Sequence, residues 1–318
     1  MQFVDLHCDT ILEVCKDGMP IRSRSGHVNL ERMQRAGYVL QTFAMFVNLK
    51  QYPDAYTRCM EMMDVFDREM EANADVIRPV TSYAQIQENR RQGRMSALLS
   101  VEEGEACMGQ VEHLRKLYDR GVRMMTLTWN YANTLAFPNH VNSRYGMPET
   151  EHGLTEQGIA CLEEMERLGI LIDVSHLGDA GFADVAVHTR MPFLASHSNA
   201  RSICPHVRNL TDSQIRVIAQ RGGVMGLNFC GDFVDPAPEG GFASLEKLAG
   251  MARHMIQVGG VESVALGSDF DGIGSELELK GCQDMPVLAE ALEHCGFTHT
   301  EVEKVCYQNA MRLLKEML

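Results

Sequence analysis

The chain has 318 residues, 45% hydrophobic and 23% charged, with a net charge of −14. That describes an ordinary globular protein able to bury a large core, and the negative charge excludes nucleic acid and anionic membrane surfaces as partners. No apolar run reaches the roughly 18 residues of a membrane span, and no signal-peptide pattern opens the chain, so a cytoplasmic location is expected.

The first apolar run, near residues 3–7, ends in His7, with Asp9 two residues on. In an extended strand, residues i and i+2 point the same way, so this imidazole and this carboxylate can face one point. A second strand is expected near 39–46, followed by a helix on which Met60, Met63, Val65, Phe66 and Met70 recur at helical spacing. The third strand, near 96–101, runs into Glu102. The fourth, near 122–128, runs into Trp129 and Asn130. Residues 131–153, rich in Asn, Pro and Gly, exceed a usual βα loop and are expected to form part of a site wall.

Ile159, Leu162, Met165 and Leu168 mark the next helix, stopped by Gly169. Strands near 170–175 and 193–196 run into His176 and His197. Thr211-x-x-Gln214 ahead of Ile215 and Ile218 has the pattern of a capping box. The last strands, near 223–228 and 264–268, precede Phe229 and Asp269; Gly121, ahead of the fourth strand, and Gly296, after the last, stop helices as Gly169 does.

Strands that alternate with helices imply a parallel sheet, because parallel neighbours need crossover connections. Eight such units in about 300 residues fit a closed (β/α)8 TIM barrel, an α/β fold, as a single domain over residues 1–318. An open doubly wound sheet would call for a Gly-rich phosphate turn after the first strand, and none is present. The ten cysteines include no CxxC pair, and Cys59, Cys161 and Cys230 sit in apolar runs, which reads as buried thiols in a reducing compartment. The 21 methionines read as core filling.

Catalytic groups of such a barrel sit at the C-terminal ends of strands, where His7, Asp9, Glu102, His176, His197 and Asp269 all fall. Any one of them could merely cap a helix. Metal-competent side chains at five strand ends together point to a metal site. Three imidazoles with carboxylates and no clustered thiolates suit zinc or a similar divalent ion. So many donors favour two ions: His7 and Asp9 on one, His176 and His197 on the other, and Glu102 bridging them.

The segments Asp5-Leu6-His7-Cys8-Asp9-Thr10, Val101-Glu102-Glu103-Gly104, Asp173-Val174-Ser175-His176, Ser196-His197-Ser198 and Gly267-Ser268-Asp269-Phe270-Asp271-Gly272 resemble the renal (membrane) dipeptidase family of the binuclear zinc amidohydrolase superfamily. Gln41-Thr42-Phe43-Ala44 and Arg208-Asn209 also fit its pattern, and the resemblance runs from residue 2 to about 309. It implies a zinc-dependent dipeptidase with two zinc ions per chain. A metal-bridging hydroxide would cleave small dipeptides, with a D-residue tolerated at the C-terminal position. It further implies His7 and Asp9 as ligands of one zinc, His176 and His197 of the other, and Glu102 as the bridge. Asp269 is implied as the catalytic proton shuttle and Arg208 as the grip on the substrate's C-terminal carboxylate. A guanidinium fork does pair bidentately with a carboxylate.

One position departs from that pattern. Where the renal enzymes carry a substrate-orienting histidine after the fourth strand, this chain has Trp129, which donates a hydrogen bond but cannot accept a proton. Trp129 and Asn130 are therefore expected to bind substrate, with Asn130, Tyr131 and His152 as open substitutes for the missing imidazole. Asp271 reads as a turn partner rather than a ligand. His27, His113, His188, His294 and His299 read as bystanders, and His140, His206 and His254 have no assigned role.

The expected partner is a small dipeptide, with a homodimer left open. Two alternatives remain: a binuclear amidohydrolase acting on another amide, a lactone or a phosphoester, and an inactive scaffold. Relatives of the first kind often bridge their metals with a carboxylated lysine, and no lysine lies between Lys116 and Lys247. Retention of all six metal-site side chains speaks against the second.

Overall fold

In the computed structural model, which describes residues 1–141, 143–237 and 240–318, the apolar runs become parallel strands. In chain order these are β1 (Phe3–Cys8), β2 (Tyr38–Phe46), β3 (Ile77–Val80), β4 (Met95–Glu102), β5 (Val122–Thr126), β6 (Leu171–Asp173), β7 (Met225–Leu227), β8 (Phe242–Ala243), β9 (Val264–Leu266) and β10 (Glu276–Leu277). Every residue of β1 and β4 is buried. Such strands read as continuous apolar runs because both faces of a parallel sheet are covered.

The main sheet runs β6–β5–β4–β2–β1–β9–β7. Residues 193–196 close the ring: Leu194 bridges Asp173 of β6, and Ala195 bridges Met225 of β7, both in parallel. Leu194 N–H donates to the Ile172 carbonyl at 3.0 Å, and Gly226 N–H to the Ala195 carbonyl at 2.8 Å. The eight expected strands thus form a barrel in chain order.

Two pairings were not expected. β3 lies along the first half of β4, from Ile77↔Met95 to Val80↔Leu98, and β5 takes over that edge at Leu99↔Val122. β8 and β10 form a separate two-stranded sheet. Strands of four and two residues are too short to show a period.

Local signals set the helix ends. The Met-rich helix Ala55–Ala72 starts where Asp54 accepts the Thr57 N–H, and helix Glu156–Leu168 stops at left-handed Gly169, φ 76°. Thr211 and Gln214 form the expected capping box. Most of the apolar core lies between strands and helices. A smaller cluster takes Val4, Leu6, Leu40, Leu98, Met124, Leu171, Leu194, Val224 and Ala265 against Ala310–Leu314 of the last helix. Every barrel strand or its immediate flank contributes to this cluster, so it is the barrel interior, and the last helix stops the mouth opposite the strand C-termini. All ten cysteines are free thiols. No described helix is long and apolar enough to cross a membrane.

Candidate metal centre

At the open mouth, β1 delivers His7 and then Asp9, and β4 ends in Glu102. His176 and Asp269 follow β6 and β9 in the left-handed region, with φ of 70° and 62°. That conformation is uncommon outside glycine, and here it turns both side chains toward one point. His197 follows the closing segment 193–196. All six residues are buried.

The two oxygens of Glu102 face different partners. Oε2 lies 3.3 Å from His7 Nε2, while Oε1 lies 3.0 Å from His176 Nε2 and 3.6 Å from His197 Nε2. Asp9 Oδ2 and Asp269 Oδ1 approach His7 Nε2 at 3.6 and 3.9 Å. Three sets of donor atoms each lie within 4.8 Å of one another: His7 with Asp9 and Glu102, Glu102 with His176 and His197, and His7 with His197 and Asp269.

The neighbouring side chains set the imidazole tautomers. His176 Nδ1–H donates to Asn130 Oδ1 at 3.0 Å. Ser196 Oγ donates to Asp173 Oδ2 at 2.5 Å and so accepts from His197 Nδ1–H at 2.6 Å. Both Nε2 atoms therefore carry lone pairs, yet they face each other at 3.1 Å. Burial holds His176 and His197 well below the usual imidazole range, with Arg208 and His7 adding to the effect. Two facing lone pairs repel each other unless a cation lies between them.

The carboxylates carry the same message. Burial raises Glu102 to about 7 and Asp269 to about 6, with Asp9 adding to both. Burial opposes protonation of His7, but Glu102 and Asp9 outweigh it and hold the ring well above its ordinary value. His7 Nε2 and Asp9 Oδ1 are buried without a hydrogen-bond partner. Orphaned donors of this kind, from imidazole and carboxylate, fit one or two divalent cations.

An outer layer fixes these groups, as metal sites require. Asp5 accepts Ser268 N–H at 2.8 Å and Ser268 Oγ–H at 2.6 Å, tying β1 to the turn that carries Asp269. Asn228 Nδ2 donates to Asp269 Oδ2 at 3.0 Å. Asp173 also accepts Thr126 Oγ1–H at 2.7 Å. Asp5 and Asp173 stood inside the quoted segments without a role. Nothing in the sequence marked Asn228.

Above the centre lies a cleft of about 970 Å³, lined by Asp9, Glu102, His176 and Asp269 and, further out, by Phe46, Trp129, Asn130, Phe233 and residues between 230 and 276. Trp129 and Asn130 both reach it. Asn130 does so while accepting from His176. The other two open substitutes do not line it: Tyr131 packs edge-on to Trp129, and His152 pairs with Glu149 at 3.3 Å. The described part of 131–153 gives no lining residue; its strand-like bridges run to Leu154 and Leu177 instead. Asp271 acts as a turn partner, accepting Thr10 Oγ1–H at 2.8 Å and His27 N–H at 2.7 Å.

Arg208 is 5% exposed and lies behind the cleft wall, under Phe233, whose ring centroid is 5.4 Å from its Cζ. Its partners are neutral: Nη1–H donates to Ser198 Oγ and Nη2–H to the His197 carbonyl, both at 3.3 Å, and Nε is unpartnered. Burial lowers its pKa against the pull of Asp269 and Glu102.

The sequence matches the family described as membrane dipeptidase (peptidase family M19) over residues 1–317. A protein encoded in the pqqA 5′ region of Klebsiella pneumoniae is 36% identical over 249 residues, covering 77% of this chain and 90% of the relative. An uncharacterized dipeptidase of Schizosaccharomyces pombe is 30% identical over 307 residues, covering 92% and 72%. Among solved structures, a dipeptidase described as a metallopeptidase of family M19 superposes with a TM-score of 0.89 at 25% identity, covering 100% of this chain and 98% of that one. A metallopeptidase from Rhodobacter sphaeroides, liganded with a phosphinate mimic of L-Ala-D-Ala, has the same fold, with a TM-score of 0.90, 24% identity, and 100% and 99% coverage. With its barrel and its clustered metal donors, the chain belongs to the membrane dipeptidase family, peptidase family M19, a family of metallo-dipeptidases.

Proposed function

We propose that the protein is a zinc-dependent dipeptidase that holds two zinc ions per chain and releases free amino acids from small dipeptides, including those with a C-terminal D-residue. The observation that carries this reading is the split of Glu102, one oxygen toward His7 and the other toward His176 and His197. His7 and Asp9 would hold one ion and His176 and His197 the other, with Glu102 shared. When bound, the ions supply an activated water and polarise the scissile carbonyl.

The chain's own residues do the rest. Asp269 would take a proton at Oδ1 and pass it to the leaving amine, a role supported by its pKa, raised to about 6 by burial, and by its hydrogen bond from Asn228. Arg208, buried with neutral partners, has charge to spare for the C-terminal carboxylate. Tolerance of a D-residue rests on the family resemblance. The free thiols fit a reducing, cytoplasmic setting.

The test is elemental analysis of gently purified protein, together with amino-acid release from L-Ala-D-Ala and L-Ala-L-Ala. About two zinc ions per chain and release from both dipeptides are expected. Metal-loaded protein that cleaves neither would overturn the dipeptidase reading, and a single ion per chain would overturn the two-zinc arrangement.

A further inference from the structure

The cleft has two unlike sides. Around the barrel the order is β1, β2, β4, β5, β6, the 193–196 segment, β7 and β9. Over the first of these the outer cleft is largely apolar: Leu12 and the exposed Lys16 follow β1, Phe46 ends β2, and Trp129 follows β5. Phe46 and Trp129 meet edge to face with ring centroids 4.8 Å apart, and Tyr131 supports Trp129 from 5.4 Å. Both cleft rings are only half-buried, so apolar surface remains to be covered. Over β7 and β9 the lining carries charge instead, including the ion pair of Lys247 with Asp235 at 2.6 Å. Arg208, under Phe233, belongs to that second side.

We propose that the Phe46–Trp129 shelf is the subsite for the side chain of the substrate's amine-side residue, and that it selects apolar and aromatic side chains. The inference rests on the dipeptidase reading. With the scissile bond over Glu102 and the C-terminal carboxylate drawn toward Arg208, the amine-side residue is left to the opposite arc, where β2 and β5 flank β4. An apolar side chain there covers two ring surfaces that water otherwise wets. An acidic one exchanges its hydration for ring faces that cannot replace it. A basic one meets the ammonium of Lys16, which lines the same side of the cleft. Trp129 stands where the renal pattern carries histidine, so a polar contact there has become an apolar one.

The test is a dipeptide series that differs only in its first residue (Phe, Leu, Ala, Asp or Lys), with D-Ala second. Wild-type kcat/KM for the Phe and Leu members is expected to exceed that for Ala by about tenfold or more, with Asp and Lys below Ala. Trp129→Ala and Phe46→Ala should each bring the Phe/Ala ratio toward one. Trp129 is the chain's one tryptophan, so its fluorescence reports on this wall alone. A phosphinate mimic with a benzyl group on the amine side should shift its emission, and Phe46→Ala should weaken binding of that mimic. A flat wild-type series, or preference for Asp or Lys, overturns the shelf. Failure to cleave any member overturns the dipeptidase reading instead. The fluorescence titration then decides the shelf, which falls if the benzyl mimic leaves the emission unchanged.

Discussion

Single atoms decide much at this site. Gly272 is exposed, yet a Cβ there would lie 2.0 Å from Asp9 Oδ2 and 2.8 Å from Asp269 Oδ1. Gly272→Ala should therefore push Asp9 off its position, lowering zinc content and cutting activity tenfold or more while the melting temperature moves little. Zinc content unchanged by dialysis assay would show that Asp9 has room to give. Arg208 allows a cleaner chemical test. Losing a buried charge-assisted pair costs about 2–5 kcal/mol, on the order of 30- to 4,000-fold in apparent affinity. Arg208→Ala should raise KM on that scale with metal content intact. Amidating the C-terminus of the dipeptide should reproduce the defect in the wild type, and the two losses should not add. Equal cleavage of amide and free acid by the wild type would assign Arg208 another task.

Among the elements, the closing segment 193–196 is the most demanding. It is held between β6 and β7 by isolated bridges rather than a long ladder. The approach is close enough that a Cβ on Gly226 or on Gly267 would lie 1.8 Å from the Ser196 carbonyl oxygen. That oxygen is backbone and cannot swing away. Gly226→Ala should destabilise the fold by at least about 1–3 kcal/mol, read as a lower urea midpoint. Because Ser196 and His197 adjoin the strain, metal content should fall as well. An unchanged midpoint would mean that the barrel opens at this seam at little cost. β3 teaches a related point: with four residues and Pro79 inside it, it pairs only because β4 extends an unshared edge below β5.

For the whole molecule, the buried acids couple stability to pH and to metal. Glu102 and Asp269 sit at about 7 and about 6, raised from ordinary values of 4.5 and 3.8. A raised carboxyl group contributes stability that is complete below its ordinary value and is lost as pH rises through its folded value. In metal-free protein the stability that these two carboxyls contribute should therefore be lost between about pH 4 and pH 7. An opposing gain comes from His176 and His197, which burial holds neutral well below the ordinary imidazole value and which favour folding as pH rises towards it. Zinc needs the same groups ionised, so the gain in melting temperature on adding zinc should grow across that window. Calorimetry of chelated and reloaded protein at pH 5.5, 6.5 and 7.5 checks both trends. A zinc-induced shift that is the same at all three values would disconnect the metal from these carboxyls.

The sequence by itself determined the eight barrel strands and singled out the polar donors at their ends, because strands buried on both faces stay apolar along their length and a polar residue at their end stands out. His7, Glu102, His176, His197 and Asp269 were legible for that reason. Tertiary structure alone decided how they converge. The facing lone pairs of His176 and His197 depend on Asn130 and on the Ser196–Asp173 pair, contacts across strands that no local pattern encodes. The cleft walls were equally hidden. Residues 131–153 looked like the wall by length and composition, but Phe46, Phe233 and the 271–276 turn took that place, because position around the barrel governs which side chains face the mouth.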